Sequence, residues 1–217
     1  MTSKIGVLGS GMVGTTIGAK LVELGYEVKM GSREVDNDTA AAWARRAGER
    51  ASSGDYAQAA AFGELVFNCT SGLGTLEALA AAGPAALRGK VLIDVANPLD
   101  FSAGGLPVLA IGGHDSLGER VQAALPETRV VKALNTVNAS VMVNPHLVAG
   151  VHTVFMSGND AGAKEQVRAI LTGWFGWQDV VDLGDITTAR GTESYLPFWL
   201  RLWGALKKGE FNIHVVR

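Results

Sequence analysis

Short apolar runs alternate along this chain with stretches of helical period. Ile5, Val7 and Leu8 form the first run, and a near-continuous apolar segment of this length predicts a parallel strand buried on both faces. Residues 12–24 follow with Val13, Ile17, Leu21 and Leu24 on or near one face, which predicts a helix that Gly25 ends. Further strands are expected at 26–30, 65–70, 91–95, 129–133, 151–156 and 179–183, the last at a sheet edge. Helices are expected at 39–50, 55–61, 75–82, 117–125 and 161–175, with Ser52-Ser53-Gly54 read as a turn. This exchange of strand and helix predicts the α/β class, a Rossmann-like doubly wound parallel sheet. Beyond residue 183 the pattern changes. Residues 188–207 carry Tyr195, Leu196, Phe198, Trp199, Leu200, Leu202, Trp203 and Leu206, which read as one or two helices broken near Pro197. A main domain at 1–183 and a small C-terminal helical region at 184–217 follow from this. So many large apolar residues must pack on the main domain, line its cleft or bury against a second subunit.

Between the first strand and the first helix stands Gly9-Ser10-Gly11-Met12-Val13-Gly14. The spacing alone says little in a chain with 28 glycines among 217 residues, but its place between a strand and a helix gives it meaning. Gly9 permits the tight turn, Gly11 clears a path for a pyrophosphate, and Gly14 lets helix and sheet pack closely. Free amides at the helix N-terminus then suit an anion. A dinucleotide site is therefore expected over residues 9–14. The second strand ends in Gly31-Ser32-Arg33, where an NAD site would carry an acid for the ribose hydroxyls. Arg33 can pair with a 2′-phosphate and Ser32 can donate a hydroxyl, so the expected cofactor is NADP. The neighbouring Asp36 and Asp38 find their simplest use at the start of the following helix.

A doubly wound sheet binds its ligand beyond the C-terminal strand ends. That geometry collects Thr70, Ser71, Asn97 and the segment 133–136, including Ala133 and Asn135, beside the glycine turn. Ser71, Asn97 and Asn135 offer neutral hydrogen-bonding groups, which suit a nicotinamide ring that must stack against a second planar group.

A formal net charge of −2 gives no strong field for nucleic acid or an anionic membrane. No apolar run is long enough for a membrane span, and the first strand begins almost at residue 1, so no leader is expected. The single cysteine, Cys69, excludes a disulfide framework and a cysteine-clustered metal site, which makes a reducing cytoplasm the expected location. His114, His146, His152 and His214 show no metal-ligand spacing, and no catalytic acid, base or metal is assigned. Lys132 reads as a strand-end residue and Glu193 as a cap or packing partner of the tail. Carbonyl or imine reduction benefits from a placed acid, whereas transfer between two redox cofactors can rest on ring placement and exclusion of water.

The Gly9 to Gly14 fingerprint, the Gly31-Ser32-Arg33 turn, Lys132-Ala133-Leu134-Asn135-Thr136 and Trp203-Gly204-Ala205 together resemble the deazaflavin (coenzyme F-420)-dependent NADP oxidoreductase family over essentially the full chain. The resemblance implies reversible hydride transfer between NADPH and an 8-hydroxy-5-deazaflavin cosubstrate in a homodimer, with Ser32 and Arg33 at the 2′-phosphate. One departure is that Asp36-Asn37-Asp38 stands where such proteins often carry a further basic residue. The competing expectations are an NADPH-dependent reductase of another flavin, a quinone or a small carbonyl compound, and a nonenzymatic NADP sensor.

Overall fold

In the computed structural model, which describes residues 3–102 and 104–217, strand and helix alternate as the apolar runs require. Strand β1 (Lys4–Leu8) leads into helix α1 (Met12–Glu23), and β2 (Glu27–Ser32) into α2 (Asp38–Ala47). Strand β3 (Ala51–Asp55) passes directly into α3 (Tyr56–Phe62), and β4 (Leu65–Asn68) precedes α4 (Thr75–Ala82) and the short α5 (Pro84–Leu87). After β5 (Val91–Asp94) come a small hairpin of β6 (Leu99–Asp100) and β7 (Val108–Leu109), then α6 (Leu117–Ala124) and β8 (Arg129–Ala133). The remaining elements are α7 (Ala139–Val143), β9 (Thr153–Gly158), α8 (Ala161–Gly173), β10 (Asp179–Asp182), α9 (Ala189–Ser194) and α10 (Leu196–Leu206).

Eight strands make one sheet in the order β10-β9-β8-β5-β4-β1-β2-β3, whose direction of winding reverses between β1 and β4. Alternation along the strands builds a core on each face. Val91 and Ile93 of β5 join one cluster with Phe67 and Val131, while Leu92 joins the other with Val66 and Val130. Full burial of each such side chain stabilises the fold by about 1.5–3 kcal/mol before chain entropy is counted. Helix α1 presents Ile17 and Leu21 to the sheet and ends where Gly25, at φ 93°, lets the Tyr26 amide reach back to the Leu21 carbonyl at 3.1 Å.

Two expectations are corrected. The sheet is not wholly parallel, because β9 runs antiparallel to β8, with Val131 opposite Gly158 and Ala133 opposite Met156. A parallel return would carry the chain across the sheet to its opposite end. Here the five-residue α7 packs against α1 instead, and the chain re-enters the sheet from the end at which it left. Second, Ser52-Ser53-Gly54 is not a turn but the middle of edge strand β3, in register with β2 from Val28 opposite Ala51 to Ser32 opposite Asp55. An edge ladder needs backbone groups rather than apolar side chains, so its polar sequence hides it. The tail forms two helices that break near Pro197 as expected, at Tyr195, and Pro197 lies in the first turn of α10, where its missing amide costs no hydrogen bond.

Candidate active site

The glycine turn is built by close approach. Gly9 has φ 111°, and a Cβ on it would stand 2.5 Å from the Cys69 carbonyl oxygen. A Cβ on Gly14 would fall 1.9 Å from the Gly9 carbonyl oxygen. Gly11 is different. It is exposed, and a Cβ there would meet nothing within 4 Å, so this glycine is not required by packing within the protein. Gly11 is also the N-cap of α1 and supplies no side-chain cap to its amides. An open cradle with free amides at the positive end of a twelve-residue helix fits a pyrophosphate.

The end of β2 completes this region. The Ser10 hydroxyl donates to Asn37 Oδ1 at 3.2 Å, while the same oxygen caps α2 by accepting the Ala40 amide at 2.9 Å. Asp38 sits in the first turn of α2, where its charge favours the helix. Ser32 is buried and donates its hydroxyl to the Glu34 carbonyl at 2.6 Å, which shapes the turn that carries Arg33 outward. Arg33 takes part in none of the ion pairs found among the described residues. Its charge reaches Tyr56, whose phenol burial pushes up while Arg33 opposes the rise.

Beside the turn, the C-terminal strand ends open onto a cleft of about 860 Å³. Gly11, Met12 and Val13 form one side, Thr70, Ser71, Asn97 and Asn135 the floor, and residues 136–139 the next wall. Thr70 spends its hydroxyl on Asn68 Oδ1 at 2.7 Å and lies 2.9 Å from the Thr75 hydroxyl, so it fixes the loop. Asn97 and Asn135 form a reciprocal pair: Asn97 Nδ2 donates to the Asn135 carbonyl at 2.8 Å, and Asn135 Nδ2 donates to Asn97 Oδ1 at 3.0 Å. The chain reaches that position through Leu134, a fully buried residue at φ 64°. A left-handed conformation costs a non-glycine residue on the order of 1–2 kcal/mol and persists only when its surroundings enforce it. Ala133 lies wholly inside β8, short of the cleft, so Asn135 reaches the cleft and Ala133 does not.

The remaining wall comes from α10, through Leu196, Trp199, Leu200 and Trp203, with Phe211 stacked behind Trp199 at 5.2 Å. Leu99, Phe101 and Leu106 close the mouth from the β6–β7 hairpin, a contribution that no periodicity in the sequence announces. Among the described lining residues only Cys69 titrates, and burial, then the Asp94 charge, pushes its thiol far above the ordinary range. His114 lies exposed on a loop, and His152 is held between the Pro145 carbonyl and Asn212, both at 2.9 Å. No group of His, Cys, Asp or Glu among the described residues could hold a metal. No helix among them is long and apolar enough to cross a membrane.

Beneath the floor runs a buried polar network. Lys132 Nζ contacts Asp94 Oδ2 at 2.8 Å, Glu193 Oε1 at 2.8 Å and the Ala96 carbonyl at 2.5 Å. Asp94 also accepts from Asn68 Nδ2 at 2.8 Å and the Ala96 amide at 3.2 Å. Glu193 caps α6, accepting the Leu117 and Gly118 amides at 2.7 and 2.9 Å. Burial works against the Lys132 charge, but the two carboxylates outweigh it and hold the ammonium above its ordinary range.

Residues 4–98 match the family model described as NADP oxidoreductase, coenzyme F420-dependent. Over its whole length the chain is 47% identical to a crystallised candidate F420-dependent NADP reductase from Arthrobacter sp. FB24, with a TM-score of 0.93 and full coverage of both chains. It is also 29% identical over 208 residues to the F420-dependent NADP reductase of Methanothermobacter marburgensis, covering 92% of each chain. A reductive aminase from Aspergillus terreus, solved with NADPH and ethyl levulinate, shares the fold at a TM-score of 0.64 and 19% identity, over 95% of this chain and 63% of its own.

Proposed function

This chain belongs to the coenzyme F420-dependent NADP oxidoreductase family, and we propose that it transfers hydride between NADP(H) and an 8-hydroxy-5-deazaflavin in the cleft beyond β1, β4, β5 and β8. The observation that carries this reading is the chemistry of the cleft: apolar and neutral polar walls, with no acid or base of ordinary range among the described lining residues. When bound, NADPH supplies the hydride from C4 of its nicotinamide, the deazaflavin accepts it, and a solvent proton completes the reduction. Such a transfer asks the protein for distance, orientation and dryness rather than for a proton donor.

The residues divide that work. Gly9 to Gly14 hold the pyrophosphate at the start of α1, with Gly11 leaving it room. Arg33 pairs with the 2′-phosphate, on a turn that the Ser32 hydroxyl shapes from inside. Asn97 and Asn135 meet the carboxamide and ribose at the nicotinamide end, with Ser71 beside them and Thr70 holding the loop. Trp199 and Trp203 of α10 offer flat apolar surface to the second ring and exclude water.

In this reading residues 1–183 are the nucleotide-binding domain and residues 184–217 supply one wall of its cleft. Phe198 and Leu206, exposed on α10 outside the cleft lining, mark the surface on which a second copy would pack to form a homodimer. A single free cysteine suits a reducing cytoplasm. Anaerobic mixing with NADPH and the deazaflavin tests the activity: loss of deazaflavin absorbance matched to NADPH consumed is expected. Turnover of a flavin, quinone or carbonyl compound with no change in the deazaflavin would overturn it.

A further inference from the structure

The buried Lys132 ammonium has three protons and three partners, and each partner belongs to a different part of the cleft's support. Asp94 is its register partner across β5 and β8. Counting three residues onward from each member of that rung reaches Asn97 on one strand and Asn135 on the other, the two amides that clasp each other at the cleft floor. The Ala96 carbonyl, held by Lys132 at 2.5 Å, is the last backbone acceptor before Asn97, and the Ala96 amide is held by Asp94 at 3.2 Å. The loop that carries Asn97 is thus pinned at the two successive peptide units that flank Ala96. Glu193, the third partner, is the penultimate residue of α9, and Tyr195 alone separates that helix from α10 and its cleft residues Leu196 and Trp199. One cation therefore joins the floor to the opposite wall.

We propose that Lys132 is a positioning residue for hydride transfer, registering the Asn97–Asn135 floor against the α10 wall and so setting the separation of the two rings. This rests on the cleft being the site of transfer between NADPH and a deazaflavin. A buried ion cluster is a poor source of stability compared with apolar packing of the same shape. Its value lies in fixing a geometry, and hydride transfer is steep in geometry: a misplacement of about 1 Å costs roughly a hundredfold.

Lys132→Met and Glu193→Gln, the second retaining shape and an acceptor for the α6 cap, are compared with wild type in two measurements. In single turnover with saturating NADPH and deazaflavin, both variants transfer hydride about ten- to a hundredfold more slowly. Calorimetric affinity for adenosine 2′,5′-bisphosphate, a fragment without the nicotinamide, changes by less than about twofold, since additivity holds for distant sites. In an Asn97→Ala background the Glu193→Gln loss shrinks, because the two act through one path. If Lys132→Met does not fold, Glu193→Gln alone carries the comparison. Equal losses in fragment affinity and transfer, or additive losses with Asn97→Ala, would overturn positioning and leave a structural role. Variants that transfer as fast as wild type overturn the proposal alone, whereas wild type that binds NADPH and never reduces the deazaflavin overturns the functional reading beneath it.

Discussion

Asn97 and Asn135 clasp each other across two strand ends, each giving an amide N–H to the other's loop, at 2.8 and 3.0 Å. The pair lines the cleft from residues that follow β5 and β8, and Leu134 at φ 64° turns the second of them into place. A hydrogen bond between neutral groups adds only about 0.5–1.5 kcal/mol to stability, so geometry rather than energy explains a strained backbone here.

Asn97→Ala and Asn135→Ala are each expected to slow deazaflavin reduction by about tenfold or more, with a double variant no slower than the worse single one. Asn97→Ala removes both bonds and frees the Asn135 amide to rotate, whereas Asn135→Ala leaves the Asn97 Nδ2 bond to the backbone carbonyl of residue 135 in place, so Asn97→Ala is the worse single variant and the second substitution adds little to it. Steady-state rates of the four proteins check this, and multiplying losses would mean that the two amides act separately.

The two helix-facing glycines of the turn separate folding from binding. Gly14→Ala drives a Cβ to 1.9 Å from the Gly9 carbonyl, against backbone that cannot yield, and is expected to unfold the turn and lower the melting temperature. Gly11→Ala meets nothing within 4 Å and keeps an allowed backbone at φ −75°, so stability stays within about 1 kcal/mol. Its methyl instead occupies the cradle, and NADPH affinity falls. Thermal melts with and without NADPH distinguish the two, and a Gly11→Ala protein that NADPH stabilises as it does wild type would remove the pyrophosphate from this position.

Arg33→Ala is expected to weaken NADPH about tenfold and leave NADH nearly unchanged, since an exposed charge-assisted contact sits at the weak end of its range. Titrations of both coenzymes provide the check. Equal losses would place Arg33 away from the 2′-phosphate.

Local pattern carried the parts of this fold that depend on side chains close in sequence. The run at Ile5 to Leu8, the glycine turn and α1 were legible together because strand, turn and helix follow one another within 24 residues. Ser71, Asn97 and Asn135 could be placed at strand ends without knowing their partners. Two features were not legible because backbone groups decide them: the ladder of β3, whose Ser52 and Ser53 look like a turn, and the direction of β9, which the connection through α7 sets. Lys132 shows a third limit. Its position in an apolar strand marks it as unusual, but Asp94 and Glu193 come from other elements, and only the folded chain brings them within 2.8 Å.

Acid should loosen the C-terminal segment before the sheet. Hydrogen bonds from Arg190 hold the Glu119 carboxyl below its ordinary value of 4.5, and bonding by the Thr153 hydroxyl, then Arg217, holds Asp179 below 3.8. Arg190 belongs to α9 and Arg217 ends the chain, so both contacts fasten residues 189–217 to the main body. A carboxylate with a lowered folded-state value adds stability that is complete above its ordinary value and is lost as pH falls through the lower one. The attachment is therefore expected to hold at neutral pH and to weaken only as pH falls beneath the ordinary values of these two carboxylates, through their lowered folded-state values, where protonation removes the acceptor. Amide exchange at 189–217 should then rise while that of β1, β4 and β5, buried within two cores, stays slow. Glu119→Gln should raise exchange in α9 already at neutral pH and flatten its acid dependence. Simultaneous release of tail and sheet would show instead that the two unfold as one unit and that these carboxylates do not govern the wall of the cleft.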